Sequence, residues 1–157
     1  MSSKLTSLKA LLPKLKAARA RGKKIVFTNG CFDLLHKGHT SYLQKAKELG
    51  DVLVIGLNSD ASVRRAKGAD RPLNHERDRA EVLSALSSVD HLVIFEKDTP
   101  LELIRALRPH VLVKGGDWKK KDVVGGTFVE SCGGRVRLIS YVKGFSTTGL
   151  LEKIRAL

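Results

Sequence analysis

One segment decides the fold: Thr28-Asn29-Gly30-Cys31-Phe32-Asp33-Leu34-Leu35-His36-Lys37-Gly38-His39. It follows the short apolar run Ile25-Val26-Phe27 and leads into a helical pattern. A strand that ends in a glycine-containing loop and opens a helix presents free backbone N–H groups to an anion. Histidines at the start of such a helix can contact a phosphate and stabilise its charge. An isolated histidine in a loop is usually a solvated or packing residue, but a His-x-Gly-His pair directly after a strand favours a nucleotide site for phosphoryl transfer.

The length and composition indicate one globular domain. The chain has 157 residues, of which 42% are hydrophobic, enough for a sizeable core. We expect no transmembrane helix and no secretory signal, because the sequence contains neither an apolar run of membrane-spanning length nor a signal-type apolar stretch near its start. The two cysteines, Cys31 and Cys132, form no Cys-x-x-Cys pair, so neither a disulfide framework nor a zinc site is expected. A reducing, cytoplasmic location fits this cysteine usage best.

The chain is strongly basic, with a formal net charge of +13. Such a charge calls for an anionic partner, and a nucleic-acid-binding module is the alternative from a different functional class. However, residues 1–24 carry much of the excess, and only 5% of the residues are aromatic, too few for an obvious base-stacking platform. We therefore expect nucleic acid not to be a partner. We predict a basic helical segment over residues 1–22, with Ser7 as a candidate N-cap and with Pro13 either starting or kinking the regular helix. This segment could instead dock an acidic partner or form contacts between subunits, and the sequence does not decide between these two roles.

From residue 23 onward, apolar strand patterns alternate with helical patterns. The strands are predicted at residues 25–28, 52–57, 91–95, 111–113 and 136–140. The helices are predicted at residues 38–49, in the first part of 61–74, and at residues 75–87, 99–107, 127–132 and 149–156. Gly50 is expected at the C′ position of the first of these helices. We interpret residues 23–157 as a single α/β domain: a doubly wound, Rossmann-like, five-stranded, mainly parallel sheet with helices on both faces.

Polar loops fall at the carboxyl ends of the predicted strands, which is where open parallel sheets bind ligands. These loops are residues 29–39, 58–60, 114–118 and, slightly later in the chain, 144–148. Their coincidence at one edge of the sheet predicts a single composite site.

The motif Gly30-x-Phe32-Asp33-x-x-His36-x-Gly38-His39, with a late Ser146-Thr147-Thr148, resembles that of the cytidylyltransferase-like nucleotidyltransferases. The resemblance covers roughly residues 22–156. Within that superfamily, the sequence is most similar to the adenylyltransferases that make ADP-heptose from D-glycero-β-D-manno-heptose 1-phosphate. The supporting segments are Asn58-Ser59-Asp60, Lys67-Gly68, Arg71-Pro72, Asp98-Thr99-Pro100 and Val113-Lys114-Gly115-Gly116-Asp117. In many organisms that activity forms the C-terminal domain of a bifunctional kinase/adenylyltransferase, so the chain is expected to be the stand-alone form or an excised domain.

The resemblance implies a role for each matching position. Three residues would bind the reacting phosphates and stabilise the transition state: His36, His39 and Lys67. Ten residues would contact the nucleotide: Asn29, Gly30, Cys31, Phe32, Lys114, Gly115, Asp117, Ser146, Thr147 and Thr148. Four residues would lie near the sugar phosphate: Asp33, Asn58, Asp60 and Arg64. The implied substrates are ATP and a sugar 1-phosphate, with Mg²⁺ accompanying ATP and no protein ligand to the metal identified. A homo-oligomer is also implied.

Several of these positions also fit a purely structural role. Ser146-Thr147-Thr148 fits an ordinary helix N-cap, and residues 114–117 fit a turn. Cys31 has no activating partner in the sequence, so it fits a packing position better than a nucleophile. Asp33 could bind Mg²⁺ or orient its own loop, and Trp118 could stack near the base or cover the core.

The runner-up within the same class is a glycerol-3-phosphate or related cytidylyltransferase. Such enzymes often carry an arginine at the position of Ser87, and they tend to carry another where this chain has Tyr141 and Val142. Both departures count against a cytidylyltransferase, and nucleotide preference separates the two hypotheses.

Overall fold

A single five-stranded sheet organises residues 4–157, the part of the chain that the computed structural model describes. Its strands are β1 (Ile25–Gly30), β2 (Val52–Asn58), β3 (His91–Phe95), β4 (Val111–Gly115) and β5 (Arg135–Ile139). The spatial order is β3-β2-β1-β4-β5, and every pairing between neighbours is parallel. β1 is central, and the direction of winding reverses between β1 and β4, which creates a crevice at their carboxyl ends.

Helices connect the strands. They are α1 (Leu8–Ala20), α2 (Lys37–Lys47), α3 (Asp60–Lys67), α4 (Glu76–Ser84), α5 (Leu101–Leu107), α6 (Gly126–Ser131) and α7 (Thr147–Arg155). A short 3₁₀ helix, Lys120–Asp122, precedes α6 and was not predicted. The predicted α/β fold, with a parallel sheet and alternating helices, is confirmed.

The helices cover both faces of the sheet, as predicted. Alternate residues of β1 enter two different cores, because side chains of a strand point to opposite faces. Val26 packs in one core with Leu43 of α2 and Leu83 of α4. Phe27 packs in the other core, whose helical contributions come from three helices and include Leu11, Leu15, Ile104, Leu107 and Val129. Burial of these aliphatic side chains is the main force that fixes the helices on the sheet.

β1 and β4 each extend two residues beyond their predicted ends. Asn29 and Gly30, expected in a loop, pair with Gly56 and Leu57 of β2. In the same way Gly115 pairs with Ile139 of β5. In both strands the run of apolar residues ends before the backbone hydrogen bonding to the neighbouring strand does. The apolar run therefore marks the buried part of the strand and not its full length. As a result, these site residues are held by the sheet itself. The other predicted boundaries match the structure or differ from it by at most three residues.

Gly50 does not have its predicted role. α2 ends with Glu48 as its C-cap, so Gly50 is not at the C′ position. A Cβ at Gly50 would lie 2.9 Å from the carbonyl oxygen of Lys24 and 2.7 Å from Cγ2 of Val26. The residue is glycine because the connection from α2 to β2 runs against the start of β1.

The basic segment forms α1 and is attached to the sheet. Ser7 caps the helix as predicted, since its Oγ accepts the N–H of Ala10 at 3.2 Å. The helix begins at Leu8 and continues through Pro13, so it does not start at the proline. Its apolar side, Leu11 and Leu15, is fully buried, while most of its basic residues face solvent. The division of the chain at residue 23 stays a prediction.

Candidate active site

A cleft of about 160 Å³ opens at the carboxyl ends of β1 and β4. Ten of the predicted site residues line it: Asn29, Gly30, Cys31, Phe32, Asp33, His39, Lys67, Lys114, Gly115 and Thr147. Four further residues line the cleft: Tyr42, Arg71, Trp118 and Tyr141. Of these, only Trp118 has a possible role from the sequence, either near the base or over the core. Tyr42 and Tyr141 carried no motif signal, and Arg71 was noted only as part of Arg71-Pro72. The cleft lies at the point where the winding of the sheet reverses, as expected for a ligand site in this topology.

The two motif histidines form a stacked pair at the start of α2. Their ring centroids are 3.9 Å apart and the ring planes meet at 26°. His36 is the N-cap residue, and its Nδ1 accepts the N–H of Gly38 at 3.1 Å. In the neutral ring, the proton of His36 must therefore be on Nε2, which becomes a donor. The rings of Phe32 and His39 also meet edge to face, with centroids 5.4 Å apart and planes at 61°.

Gly38 is the residue that permits this pair. A Cβ at position 38 would lie 2.8 Å from Cε1 and 2.9 Å from Nδ1 of His36. The ring cannot easily move away, because it stacks on His39 on one side. The His-x-Gly-His spacing thus has a steric reason in addition to a chemical one.

Both histidines are neutral at physiological pH. Burial, together with electrostatic repulsion from the neighbouring His36 and Lys67, lowers the pKa of His39 to about 4, against the opposing effect of a hydrogen bond to the Leu34 backbone. Burial also lowers the pKa of His36. Two rings stacked this closely cannot both carry a proton without repulsion. The pair is suited to donate hydrogen bonds from neutral imidazoles rather than to act as a charged acid.

Because the pKa of His39 is lowered by folding, the free energy of unfolding depends on pH through this residue. Its pKa is about 4 in the folded chain and 6.5 in the unfolded one, so protons favour unfolding between these values. The contribution is fully present above pH 6.5 and is lost as the pH falls towards 4. We expect urea denaturation to show a smaller loss of stability between pH 7 and pH 5 in a His39→Ala variant than in the wild type. Equal losses in both would contradict a buried, neutral His39.

Phe32 adopts a left-handed backbone conformation, with φ of 45°. This region is disfavoured for a bulky residue, and such strain is concentrated at functional sites. The turn directs the Phe32 ring back over Gly30, where a Cβ would lie only 3.0 Å from Cε2 of the ring. It also sends the next side chain, Asp33, into the protein interior, where it is 4% exposed.

Asp33 holds the segment of residues 71–74. Its carboxylate accepts hydrogen bonds from Arg71 Nε at 2.8 Å and from the N–H groups of Leu73 and Asn74 at 2.9 Å. Burial alone would raise the pKa of Asp33, but the bonds from Asn74, Leu73 and Arg71 outweigh it, so the pKa is lowered. Both carboxylate oxygens are occupied by protein donors. Of the two interpretations of Asp33, this geometry favours orientation of the loop over metal binding.

The opposite wall of the cleft is formed by the end of β4 and by aromatic residues. Lys114 points towards the ring of Trp118, with Nζ 5.4 Å from its centroid, and burial lowers the pKa of the Lys114 amine. Tyr141 lies against Gly115 so closely that a Cβ there would be 2.1 Å from the Tyr141 hydroxyl oxygen. Burial, together with the nearby carboxylate of Asp117, raises the pKa of the same hydroxyl. Asp117 therefore supports the wall without lining the cleft.

The start of α7 closes the cleft. Ser146 is its N-cap, and its Oγ accepts the N–H of Gly149 at 2.9 Å. Thr147, the first helical residue, lines the cleft and donates a hydrogen bond to the carbonyl oxygen of Leu34 at 3.4 Å. Thr148 is the second helical residue and is not among the residues that line the cleft. The helix therefore offers its N-terminal end, which attracts anions, at the rim of the site.

Three predicted substrate residues lie outside the cleft. Asn58 donates a hydrogen bond to Ser62 Oγ at 3.1 Å. Asp60 and Arg64 line a separate, open pocket of about 680 Å³ beside α3 and α4. Asp60 is ion-paired with the buried Arg79 at 2.8 Å. Contact of these three residues with a substrate stays a prediction.

The sequence profile of the family described as Cytidylyltransferase-like matches residues 27–145, which include the histidine pair and the end of β4. The chain belongs to this family. The fold agrees with the match, since the family's motif lies where the crevice of the sheet is.

Curated members of the family include close relatives. The chain is 60% identical over 152 residues to the bifunctional protein HldE of Pelobacter propionicus and 61% identical over 153 residues to that of Geotalea uraniireducens. These alignments cover 97% and 98% of this chain but 31% of each relative. The chain thus spans about a third of the length of the curated relatives it matches.

Two solved structures share the architecture. A lipopolysaccharide core biosynthesis protein from Thermoplasma volcanium has a TM-score of 0.64 at 28% identity, over 79% of this chain and 100% of that one. A pantoate-β-alanine ligase from Francisella tularensis has a TM-score of 0.59 at 15% identity, over 98% of this chain and 78% of that one. The second likeness concerns the fold alone. Among the helices of residues 4–157, none has the length and apolar character needed to span a membrane.

Proposed function

We propose that this chain transfers AMP from ATP to D-glycero-β-D-manno-heptose 1-phosphate, giving ADP-heptose and pyrophosphate for the lipopolysaccharide core. The observation that carries the proposal is the stacked pair of His36 and His39 at the start of α2, with His39 facing a cleft that also holds Lys67 and Lys114. The relatives called bifunctional HldE and the lipopolysaccharide core biosynthesis protein agree with this substrate class. The chain would correspond to the adenylyltransferase part of such a bifunctional protein, or to its stand-alone form.

The chemistry requires positioning and charge stabilisation. An oxygen of the sugar 1-phosphate attacks the α-phosphorus of ATP, the bond from that phosphorus to the α,β-bridging oxygen breaks, and pyrophosphate leaves with the electron pair. The nucleophile is a phosphate oxygen that is already anionic, so neither histidine is needed as a general base. The neutral rings of His36 and His39 would donate hydrogen bonds to the reacting phosphates, and Lys67 would balance their charge.

Mg²⁺ would arrive with ATP as part of the substrate. Among residues 4–157, no group of three His, Cys, Asp or Glu side chains could hold a metal ion. Mg²⁺ commonly keeps water and phosphate oxygens as its ligands, so the triphosphate can carry it without a dedicated protein site.

We also propose a cytoplasmic location and a homo-oligomer. Light scattering would measure the oligomeric state.

The test is pyrophosphate release with Mg²⁺ for each pairing of ATP or CTP with heptose 1-phosphate or glycerol 3-phosphate. We expect turnover with ATP and heptose 1-phosphate alone, and its loss in a His39→Ala variant. Turnover with CTP would instead assign the chain to the cytidylyltransferases. An absence of turnover with every pair, in a protein with the expected circular dichroism spectrum, would contradict the proposal.

A further inference from the structure

Arg71 lines the cleft, yet it belongs to neither the motif nor the nucleotide-facing loops. It lies in the segment that follows α3, and its N–H donates to the carbonyl oxygen of Gly68 at 3.2 Å. This turn places Lys67 and Arg71 at its two ends, and both side chains line the same cleft. Two cations therefore converge on one wall.

One edge of the Arg71 guanidinium is fixed and another is free. Nε donates to Asp33 Oδ2 at 2.8 Å, and the two side chains are 17% and 1% exposed. By contrast, Nη2 is buried and has no hydrogen-bond partner among the residues that the structure describes. A buried donor without a partner costs free energy, so a native protein tolerates it where a ligand supplies the acceptor.

The geometry of the ion pair explains why Arg71 is suited to bind an anion. The Asp33 carboxylate is held in place by the N–H groups of Leu73 and Asn74, independently of Arg71. The planar guanidinium is thus oriented by a rigid acceptor at Nε and can offer its Nη donors to a second oxyanion. Asp33 compensates only one positive charge, and Lys67 and Lys114 leave the cleft cationic.

The proposed reaction brings two anionic groups into this cleft, a triphosphate and the phosphate of the acceptor. The histidine pair and the start of α2 stand at the motif side, where an anion meets helix N–H groups. Arg71 reaches the same cleft from a different segment, the one that follows α3, and Asp33 holds that segment. We propose that Arg71 binds the phosphate group of the acceptor sugar and that Asp33 positions it. This inference rests on the proposed function.

The decisive variant is Arg71→Lys, which keeps the positive charge next to Asp33 but removes the forked Nη donors. We expect the KM for heptose 1-phosphate to rise by about 10- to 100-fold, as for loss of a hydrogen bond to a charged group, and the KM for ATP to stay within about two-fold. Arg65→Lys is the matched control, because Arg65 forms an exposed pair with Asp98 at 2.8 Å. The control should change neither constant.

Direct binding separates this inference from the proposed reaction. Titration calorimetry with α,β-methylene ATP and, separately, heptose 1-phosphate gives an affinity for each without turnover. We expect Arg71→Lys to weaken only the sugar phosphate. A variant that binds both like the wild type, or that loses only the nucleotide, overturns the assignment even if the wild type is active. Should the lysine variant fold poorly, Arg71→Gln is measured in the same way and judged by the same outcomes.

The wild type could also bind heptose 1-phosphate through Arg71 and yet release no pyrophosphate. That result would contradict the proposed function and leave the assignment of the phosphate site intact.

Discussion

Replacing His39 with alanine is expected to lower kcat by about 100- to 1000-fold, the usual loss for one preorganised donor at a developing charge. The His39 ring contacts the rings of His36 and Phe32, with centroids 3.9 Å and 5.4 Å away, so its position is fixed before substrate binds. The donor therefore needs little reorganisation during the reaction. The KM for ATP should change much less than kcat, because the interaction is strongest as charge develops on the reacting phosphate.

Steady-state pyrophosphate release measures this effect, and His91→Ala is the matched control. His91 begins β3, at the amino end of the sheet opposite the cleft, and is half-buried like His39. The His91→Ala variant should keep kcat within about two-fold of the wild-type value. A His39→Ala enzyme with unchanged kcat would contradict a role of this ring in the reaction. If the KM for ATP alone rose strongly, the ring would only bind the nucleotide.

Replacing Arg79 with methionine is expected to destabilise the protein by about 3–5 kcal/mol, the range for breaking a buried ion pair. Arg79 is 1% exposed. Its guanidinium donates to the Cys31 carbonyl at 2.6 Å, to the Asn74 carbonyl at 3.0 Å and to Asp60 Oδ1 at 2.8 Å. Methionine fills similar volume but leaves Asp60 Oδ1 without its buried cationic partner and two carbonyls without this donor.

Urea denaturation monitored by circular dichroism tests this effect. Arg65→Met is the control, because it removes an arginine–aspartate pair of the same 2.8 Å length whose side chains are 47% and 78% exposed. An exposed pair contributes about 0–1 kcal/mol. Similar losses in the two variants would mean that the Arg79 network is not a stability element. Because Arg79 holds the Cys31 carbonyl in the turn between β1 and α2, we also expect Arg79→Met to lower kcat at temperatures where it remains folded.

The sequence predicted which residues lie close together where the information is local. The run from Asn29 to His39 carries strand, turn and helix signals within twelve residues of one another, and the structure keeps them together in one wall of the cleft. The parallel sheet was predictable for the same reason, since each strand and helix has its own period of apolar residues.

Other parts of the site depend on contacts between distant segments. Asp33 meets Arg71 and Asn74 about 40 positions later in the chain, and Arg79 meets Cys31. No spacing rule links such positions, because a surface arginine and a buried one look alike in a single sequence. The side-chain bond between Asp60 and Arg79 could not be foreseen either, and it explains why Asp60, at the start of α3, does not face the cleft.

The central position of β1 has a consequence for how the chain acquires its site. β1 pairs with β2 across a short sequence distance, but its other edge is covered by β4, with Val26 beside Val111. A nascent chain that has emerged only as far as β3 can build half of the sheet, and it exposes an apolar strand edge until β4 arrives. The cleft between β1 and β4 does not exist before that moment. A ligand of this cleft therefore cannot stabilise folding intermediates in which β4 has not yet paired with β1.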